Sequence, residues 1–469
     1  MGSKTKVVTK PAKGTRDFLA ADVRRREYVV GVIRSVYEAH GFVPLETPTF
    51  ERLETLLGKY GEEGDQLVFK ILHRGQNLVS GVREAASALE RPGVLQQGRS
   101  GETAPSVEPL LGDLGLRYDL TVPLARVVAE HRGRLPAVYR RFQIQPVWRA
   151  DTPSKGRFRE FYQCDVDVVG TDARIAEVEV CGAVAEALQR LGFEDFQIRL
   201  NHRQLLRALV EVSAIPADRE VDAIVALDKF DKVGVEGVLG ELAERGVEAD
   251  AGRRLLDAVT DAADWASLRP LLSGHERGEA ALDDLDEIMA LGQQTAAAAH
   301  LTPSPTLARG LGYYTGAIFE IAVSDLSGSL GGGGRYDGLV GMFMGQDLPA
   351  CGFSIGLERI LVVMEARGMF PDLPGPADVL VAPLDDGLAG RSLRVARALR
   401  EAGARVELHP KRDKAGRLRK MADERGFRNA VLLRADRGEE ANVWSRASPE
   451  ITDRFVPEAE LPTALGYRS

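Results

Sequence analysis

The chain has 469 residues, about three times the usual size of one domain, so we expect more than one hydrophobic core. Hydrophobic residues make up 44%, but no stretch reaches the roughly 20 consecutive apolar residues of a membrane helix, which excludes a helical membrane protein. The net charge of −8 argues against a generally basic nucleic-acid-binding protein, although a local basic surface could still bind phosphates.

The first residues and the cysteines predict a cytoplasmic protein. Residues 1–13 are polar and lysine-rich and have no apolar core of the kind found in a secretory signal. Cys164, Cys181 and Cys351 lie far apart and form no C-x-x-C pair, which argues against a zinc ribbon, a redox motif or a disulfide framework. We therefore expect a reducing compartment.

The N-terminal third begins with a predicted helix over 22–39, followed by extended chain at 41–48 (GFVPLETP), where two prolines disfavour helix. Residues 75–115 are rich in Gly, Ser, Pro and Glu, which predicts an insertion loop.

Three predicted strands then alternate apolar and polar residues, over 116–122, 141–149 and 161–168. Their polar faces carry Arg117, Asp119 and Thr121; Arg141, Gln143, Gln145 and Arg149; and Gln163, Asp165 and Asp167. For any one strand the ordinary interpretation is the solvated face of an antiparallel sheet. Three strands of the same chemistry indicate a polar floor for a ligand, with residues 150–157 as a hairpin connection.

The rest of the chain predicts a helical insertion and a second domain. Helix 176–191 and strand 196–201 precede an Ala/Leu-rich helical insertion at about 215–303, after which strands return at 316–323. Prolines at 371–376 indicate a linker, and alternating strands and helices follow. We predict an α+β fold with an antiparallel sheet, domain boundaries at 1–375 and 376–469, and a C-terminal α/β domain.

The glycine run at 331–338 fits neither familiar nucleotide loop. Gly333 and Gly338 have P-loop spacing, but Leu339 and Val340 stand where Lys and Ser/Thr would be needed, and no G-x-G-x-x-G is present. We interpret the run as a bend that allows close backbone approach, either to another strand or to a ligand. Without such a loop, a triphosphate needs fixed cations, and Arg149 and Arg359 are candidates, although an isolated arginine is more often a surface residue.

Six motifs in order resemble class II aminoacyl-tRNA synthetases. Four match that class in general: 14–18 (GTRDF), 41–48, 149–161 (RADTPSKGRFREF) and 352–359 (GFSIGLER). Two more, 308–316 (ARGLGYYTG) and 333–339 (GGRYDGL), are similar to the histidine-specific signatures of the histidyl-tRNA synthetases. The resemblance covers roughly the whole chain and implies a class II catalytic domain with a helical insertion and an anticodon-binding domain.

The resemblance implies activation of L-histidine with ATP and Mg²⁺ to histidyl-adenylate, then transfer to the 3′ end of tRNA(His), by a homodimer without an editing domain. It implies that Arg149 and Arg309 act in catalysis and that Arg149, Asp151 and Arg359 contact ATP. Asp119, Thr121 and Gln163 would bind the histidine ammonium group, and Asp167 and Tyr314 would bind its ring, with Tyr313 beside them. The metal ligands stay unknown.

Other positions bear on tRNA and on departures from the family. Residues 411–420 (KRDKAGRLRK) form a basic stretch in the anticodon-binding domain, for which the alternative is a solvated helix face.

Three positions depart from the usual family pattern. Gly312 stands where the family usually carries Asp, Asp151 where many members have Glu, and Ser154 where bacterial relatives often have Gln.

Two other function classes share this fold. A catalytically inactive, histidine-binding paralogue that regulates histidine biosynthesis would generally lack the terminal domain and the arginines, whereas Arg149, Arg309 and Arg359 are present. A tRNA-sensing module usually accompanies a kinase, and the sequence has no kinase signature.

Overall fold

The computed structural model describes residues 9–90, 107–154, 156–262, 264–308, 312–326, 328–373, 375 and 377–467. Within them the chain forms two compact units, residues 9–18 with 25–369, and residues 19–24 with 370–467. None of the described helices combines the length and the apolar character needed to cross a bilayer.

The strands, numbered in chain order, are β1 Val43–Pro44, β2 Phe50–Arg52, β3 Lys70–Ile71, β4 Leu114–Leu116, β5 Tyr139–Trp148, β6 Glu160–Val169, β7 Gln197–His202, β8 Leu301–Pro303, β9 Ala317–Ala322, β10 Gly331–Arg335, β11 Ala350–Gly356, β12 Val379–Pro383, β13 Val406–Leu408, β14 Asn429–Leu433, β15 Glu440–Ser445 and β16 Phe455–Pro457.

The α-helices are α1 Ala20–Ala39, α2 Leu53–Leu56, α3 Gly61–Gln66, α4 Gln76–Leu89, α5 Glu108–Leu111, α6 Thr121–His131, α7 Ile175–Arg190, α8 Arg203–Val212, α9 Glu220–Leu227, α10 Phe230–Glu244, α11 Ala249–Thr260, α12 Glu276–Gly292, α13 Asp337–Met344, α14 Leu357–Arg367, α15 Ala389–Glu401, α16 Ala415–Glu424 and α17 Leu461–Ala464. Short 3₁₀ turns occupy Ala217–Arg219, Ala266–Leu268, Ala435–Arg437, Pro449–Ile451 and Glu458–Glu460.

The first unit is built on a sheet of order β1-β5-β6-β11-β10-β9-β7-β8, in which the strands from β5 to β7 pair antiparallel and the two outer strands pair parallel. A small sheet of β2, β4 and β3 accompanies it. Helices α8 to α12 form the helical insertion between β7 and β8. This confirms the predicted α+β class.

The polar floor predicted from alternation is present on β5 and β6. Arg141 pairs in register with Asp167, Gln143 with Asp165, and Gln145 with Gln163. Since paired residues of neighbouring strands project to the same face, these six side chains form one polar surface in the sheet.

Three sequence predictions were wrong in their local structure. The predicted strand 116–122 ends at Leu116, and helix α6 begins at Thr121 because Asp119 Oδ1 accepts the backbone N–H of Val122, which starts a helical turn. Of the predicted loop 75–115, residues 91–106 lie outside the described residues, whereas α4 and α5 are helical. The glycine run is strand β10 and not a bend, because cross-strand hydrogen bonds to β9 and β11 fix it, although the predicted close backbone approach to another strand is confirmed.

The second unit is a five-stranded sheet of order β13-β12-β14-β15-β16, with the first three strands parallel. Alternating residues of β12 face two cores: Val379 and Val381 pack with α15, and Leu380 and Ala382 pack with α16. Helices thus cover both faces of the sheet, as expected for a parallel arrangement. The sequence analysis missed β15 and β16.

Candidate active site

A cavity of about 260 Å³ lies over the polar floor of the first unit. Nine of the ten predicted site residues line it: Asp119, Thr121, Arg149, Asp151, Gln163, Asp167, Tyr313, Tyr314 and Arg359. The tenth, Arg309, lies outside the described residues. These nine residues come from segments up to 240 positions apart, between Asp119 and Arg359, so only the tertiary fold brings them together.

Asp119 is a buried acceptor at one side of the cavity. Its Oδ1 accepts hydrogen bonds from the Tyr60 hydroxyl at 3.0 Å and from the backbone N–H of Val122 at 3.1 Å. Its Oδ2 lies 3.5 Å from the hydroxyl of Tyr313. Burial raises the pKa of Asp119, while the Val122 N–H and Arg149 oppose the rise. A cation bound here would favour the charged carboxylate and replace the missing solvation.

Asp167 is held from two sides on the polar floor. Its Oδ2 lies 2.9 Å from Nη2 of Arg141, and its Oδ1 accepts a hydrogen bond from the hydroxyl of Tyr336. Burial raises the pKa of Asp167, and the Arg141 guanidinium opposes that rise. One oxygen thus accepts from Tyr336, and the other faces the Arg141 guanidinium as an ion pair without a hydrogen bond.

Gln163 continues the floor on β6. Its Nε2 donates to Oγ of Ser354 at 2.5 Å, so its amide oxygen is the free end. Among the described residues, Gln163 Oε1 and Asp165 Oδ1 are buried and have no hydrogen-bond partner. Buried acceptors without partners are unfavourable, so a ligand with several N–H donors would suit this floor.

Arg149 lies where β5 ends. Its Nε donates to the Tyr118 carbonyl at 3.0 Å, and its guanidinium carbon lies 4.3 Å from the centre of the Tyr118 ring and 5.2 Å from that of Phe161. Backbone and rings thus fix the plane of the guanidinium, which suits two parallel hydrogen bonds to a carboxylate or a phosphate.

Arg359 lies in the first turn of α14 and donates to the carbonyl of Ser329. The neighbouring Glu358 is buried: Arg26 donates to its Oε1 at 2.8 Å, and the backbone N–H of Tyr162 donates to its Oε2 at 2.9 Å. Glu358 therefore connects α14 to α1 and β6, and thereby fixes the start of the helix that carries Arg359.

Two glycines without side chains keep the cavity above the polar floor open. An added Cβ on Gly333 would lie 2.0 Å from the Gly352 carbonyl, and one on Gly352 would lie 1.9 Å from Oδ1 of Asp167. Both glycines line the cavity. A Cβ on Gly312, by contrast, would meet nothing within 4 Å among the described residues.

The sequence analysis left four neighbours of these residues out of the predicted site: Arg141, Asp165, Tyr336 and Ser354. Alternation had already placed Arg141 and Asp165 on polar faces, and Tyr336 and Ser354 lie inside quoted motifs. Asp151 is partly engaged, since its Oδ1 lies 2.7 Å from Nη2 of Arg157.

The described residues include no group of three His, Cys, Asp or Glu side chains placed to hold a metal ion. Five of the described carboxylates line the cavity, and two of them, Asp151 and Glu358, lie outside the set assigned to the polar floor and to Asp119. Mg²⁺ usually binds one or two carboxylates together with substrate phosphates, so these residues fit a Mg²⁺ ion that enters with a nucleotide.

Comparisons with known proteins agree on one family. Residues 109–360 match the histidyl-tRNA synthetase family model. Histidine–tRNA ligases of Christiangramia forsetii and Gloeobacter violaceus are 40% and 39% identical, over 90% and 96% of this chain and 91% and 96% of their own lengths. The crystal structure of histidyl-tRNA synthetase from Nostoc sp. PCC 7120 superposes with a TM-score of 0.75 at 27% identity, covering 98% of this chain and 99% of that one.

Proposed function

The chain belongs to the histidyl-tRNA synthetase family, and from this premise we propose that the cavity over the polar floor is where L-histidine reacts with ATP. The activity is that of an ATP-dependent histidine–tRNA ligase. The observation that supports the site is the convergence of nine predicted residues on one cavity whose buried floor is rich in acceptors.

We assign the acceptors to the nitrogen atoms of histidine. Asp119, Thr121 and Gln163 would receive the ammonium group, because Asp119 and Gln163 are buried and a bound cation would oppose the rise that burial causes in the pKa of Asp119. Asp167 and Tyr314 would receive the ring N–H groups. The ring of Tyr313 packs edge-on against that of Tyr314, with 4.9 Å between the ring centres. A site of specific acceptors rejects side chains that lack matching donors.

We assign the arginines to the phosphates. In the first step the histidine carboxylate oxygen attacks the α-phosphorus, a bond to phosphorus forms, and pyrophosphate leaves. The protein contributes alignment and stabilisation of negative charge. Arg149 would hold the carboxylate and the α-phosphate together, Arg359 the γ-phosphate, and Arg309 the charge that develops at the α-phosphate; Asp151 would contact ATP. Mg²⁺, held by Asp151 or Glu358, would supply further charge neutralisation.

In the second step the 3′-terminal hydroxyl of tRNA(His) would take the histidyl group and release AMP. We propose that the basic stretch 411–420 on and before α16 contacts the tRNA, because Arg412, Arg417 and Lys420 are exposed there.

We also propose a cytoplasmic homodimer. The segment 41–52 carries Val43 and Phe50, whose side chains are about half exposed, at 48% and 52%. Exposed apolar groups on short strands are suited to an interface. Sedimentation that shows an active monomer would contradict the dimer.

Histidine-dependent exchange of labelled pyrophosphate into ATP tests the first step. A ligase exchanges label only when histidine is present, whereas an inactive regulatory paralogue binds histidine and exchanges none. Folded protein without exchange would overturn the assignment of function.

Arg309 needs its own test. Arg309→Ala should lower the rate of adenylate formation far more than the affinity for ATP, because a group acting on developing charge contributes mainly in the transition state. Equal reductions of both would make Arg309 a binding residue. Arg132→Ala, which replaces a partly exposed arginine that donates to the Pro136 carbonyl, is the control.

A further inference from the structure

Arg141 is the most deeply buried cation of the first unit's polar floor, with a side-chain exposure of 0%. Its Nη2 forms an ion pair with Oδ2 of Asp167 at 2.9 Å and donates a hydrogen bond to the carbonyl of Leu120 at 3.2 Å. One nitrogen atom therefore contacts two different segments of the cavity wall.

These two segments carry opposite ends of the proposed histidine site. Leu120 lies between Asp119 and Thr121, to which we assign the ammonium group, and Asp167 is assigned to the ring. Within the part of the chain that the structure describes, no regular strand pairing joins residues 117–120 to β6. The backbone N–H of Trp148 on β5 donates to the Arg117 carbonyl at 3.0 Å, which joins the segment to the sheet at that residue. From there to Leu120, the spacing between Asp119, Thr121 and Asp167 also depends on side-chain contacts such as those of Arg141.

Asp165 provides a second carboxylate beside the guanidinium. Its Oδ2 lies 3.9 Å from Nη2 of Arg141, and it accepts a hydrogen bond from Ser354, whose Oγ accepts from Gln163. Asp165 also lines the cavity. Arg141 thus lies between two carboxylates, with its Nε and Nη1 buried and without hydrogen-bond partners among the described residues, and Asp165 joins it to the amide of Gln163.

A buried ion pair of this kind contributes little net stability, since desolvation offsets the Coulomb attraction, but it fixes geometry when its hydrogen bonds are directional. Lysine carries the same charge without the planar fork of arginine. Replacing Arg141 by lysine therefore keeps the charge and tests whether the planar geometry of the guanidinium is needed.

We propose that Arg141 is a positioning residue of the amino-acid pocket: it holds the segment carrying Asp119 and Thr121 at a fixed distance from Asp167, and Asp165 keeps its guanidinium in place. The proposal rests on the proposed function, because it takes histidine as the ligand of this floor.

Calorimetric titration of the full chain with L-histidine, histidinol and ATP tests the proposal. Histidinol keeps the ammonium group and the ring but lacks the carboxylate. Arg141→Lys should weaken histidine and histidinol alike by about tenfold or more, the reduction expected when a hydrogen bond to a charged group is removed, with ATP affinity unchanged. Asp165→Asn should produce a smaller reduction of the same pattern, because the ion pair between Arg141 and Asp167 remains.

Arg367→Lys is the matched control. Arg367 also bridges two aspartates, Asp195 and Asp325, each at 2.7 Å, and it does not line the cavity. Its substitution should leave the histidine affinity unchanged, so a general effect of replacing a bridging arginine is separated from an effect on the pocket.

Wild-type histidine affinity in folded Arg141→Lys would overturn the proposal, even with a lowered melting temperature, because a purely structural role changes the folded fraction and not the affinity. If Arg141→Lys does not fold, the charge-balanced Arg141→Met/Asp165→Asn variant decides by the same titration. Wild-type protein that binds no histidine would instead refute the proposed function.

Discussion

Gly352 on β11 lies directly opposite Asp167 on β6, and a Cβ at Gly352 would stand 1.9 Å from the Asp167 carboxylate. Gly352→Ala should therefore displace Asp167 and destabilise the fold by about 1–3 kcal/mol, as other overpacked sites do. The histidine KM should rise more than the ATP KM. Steady-state exchange kinetics and urea unfolding measure both effects.

Gly338→Ala is the control for this substitution, because a Cβ at Gly338 meets nothing within 4 Å among the described residues and Gly338 lies in helix α13. Its KM for histidine should match that of the wild type. Equal KM values in Gly352→Ala and the wild type would mean that Asp167 does not contact histidine or that the carboxylate has room to move.

Arg149→Lys should lower the rate of histidine-dependent exchange by about a hundredfold, the reduction typical of removing a fixed group that stabilises transition-state charge. Lysine lacks the Nε that donates to the Tyr118 carbonyl and the plane that faces the Tyr118 ring. Single-turnover adenylate formation is the measurement. Arg132→Lys should react like the wild type, and a comparable rate in Arg149→Lys would remove Arg149 from the catalytic step.

Glu177→Gln should destabilise the first unit by about 3–5 kcal/mol, the usual cost of breaking a buried ion pair. Both carboxylate oxygens of Glu177 accept from Arg335, Oε1 from Nε at 2.6 Å and Oε2 from Nη2 at 2.8 Å, and Glu177 is 0% exposed. Urea unfolding measures the destabilisation. Glu179→Gln on the same helix, whose side chain is 31% exposed and pairs with Arg140, should cost about 1 kcal/mol or less; equal effects would contradict the distinction.

Burial raises the pKa of Asp165 to about 7, against the attraction of Arg141 and with a further contribution from Asp167. The unfolded carboxyl ionises near 3.8, so between about pH 4 and pH 7 the folded state retains a proton that the unfolded state has released. Wild-type stability should therefore fall relative to Asp165→Asn as the pH rises through this window. The test measures the unfolding free energy of the wild type and of Asp165→Asn between about pH 4 and pH 7. Asp172→Asn, which changes an exposed carboxylate, is the control. Parallel curves for wild type and Asp165→Asn would contradict it.

Arg412→Ala/Lys420→Ala should weaken tRNA(His) binding and lower its salt dependence, because phosphates that the protein no longer neutralises keep their counterions. Histidine-dependent exchange should not change. Arg397→Ala removes another exposed arginine of the same unit, paired with Glu401 on α15, and should leave tRNA affinity unaltered. A uniform weakening in all variants would point to general electrostatics of the unit.

The sequence by itself determined the helices and strands whose periodicity is long and regular. Strands β5 and β6 and helix α7 differ from prediction by only one or two residues at their ends. Alternation alone placed Arg141, Gln163 and Asp167 on polar faces, because side chains of a strand alternate strictly between its two faces. The family resemblance, and not periodicity, assigned their roles.

Only the tertiary structure decided which distant segments are neighbours. Strand β10 has a run of glycines with no β propensity and is a strand because β9 and β11 supply its hydrogen bonds. Thr121 begins a helix because Asp119 starts the turn, yet both residues still line the cavity. Arg141 and Leu120 meet through a hydrogen bond between segments 21 positions apart, which no local pattern encodes, since such pairings depend on how distant elements pack.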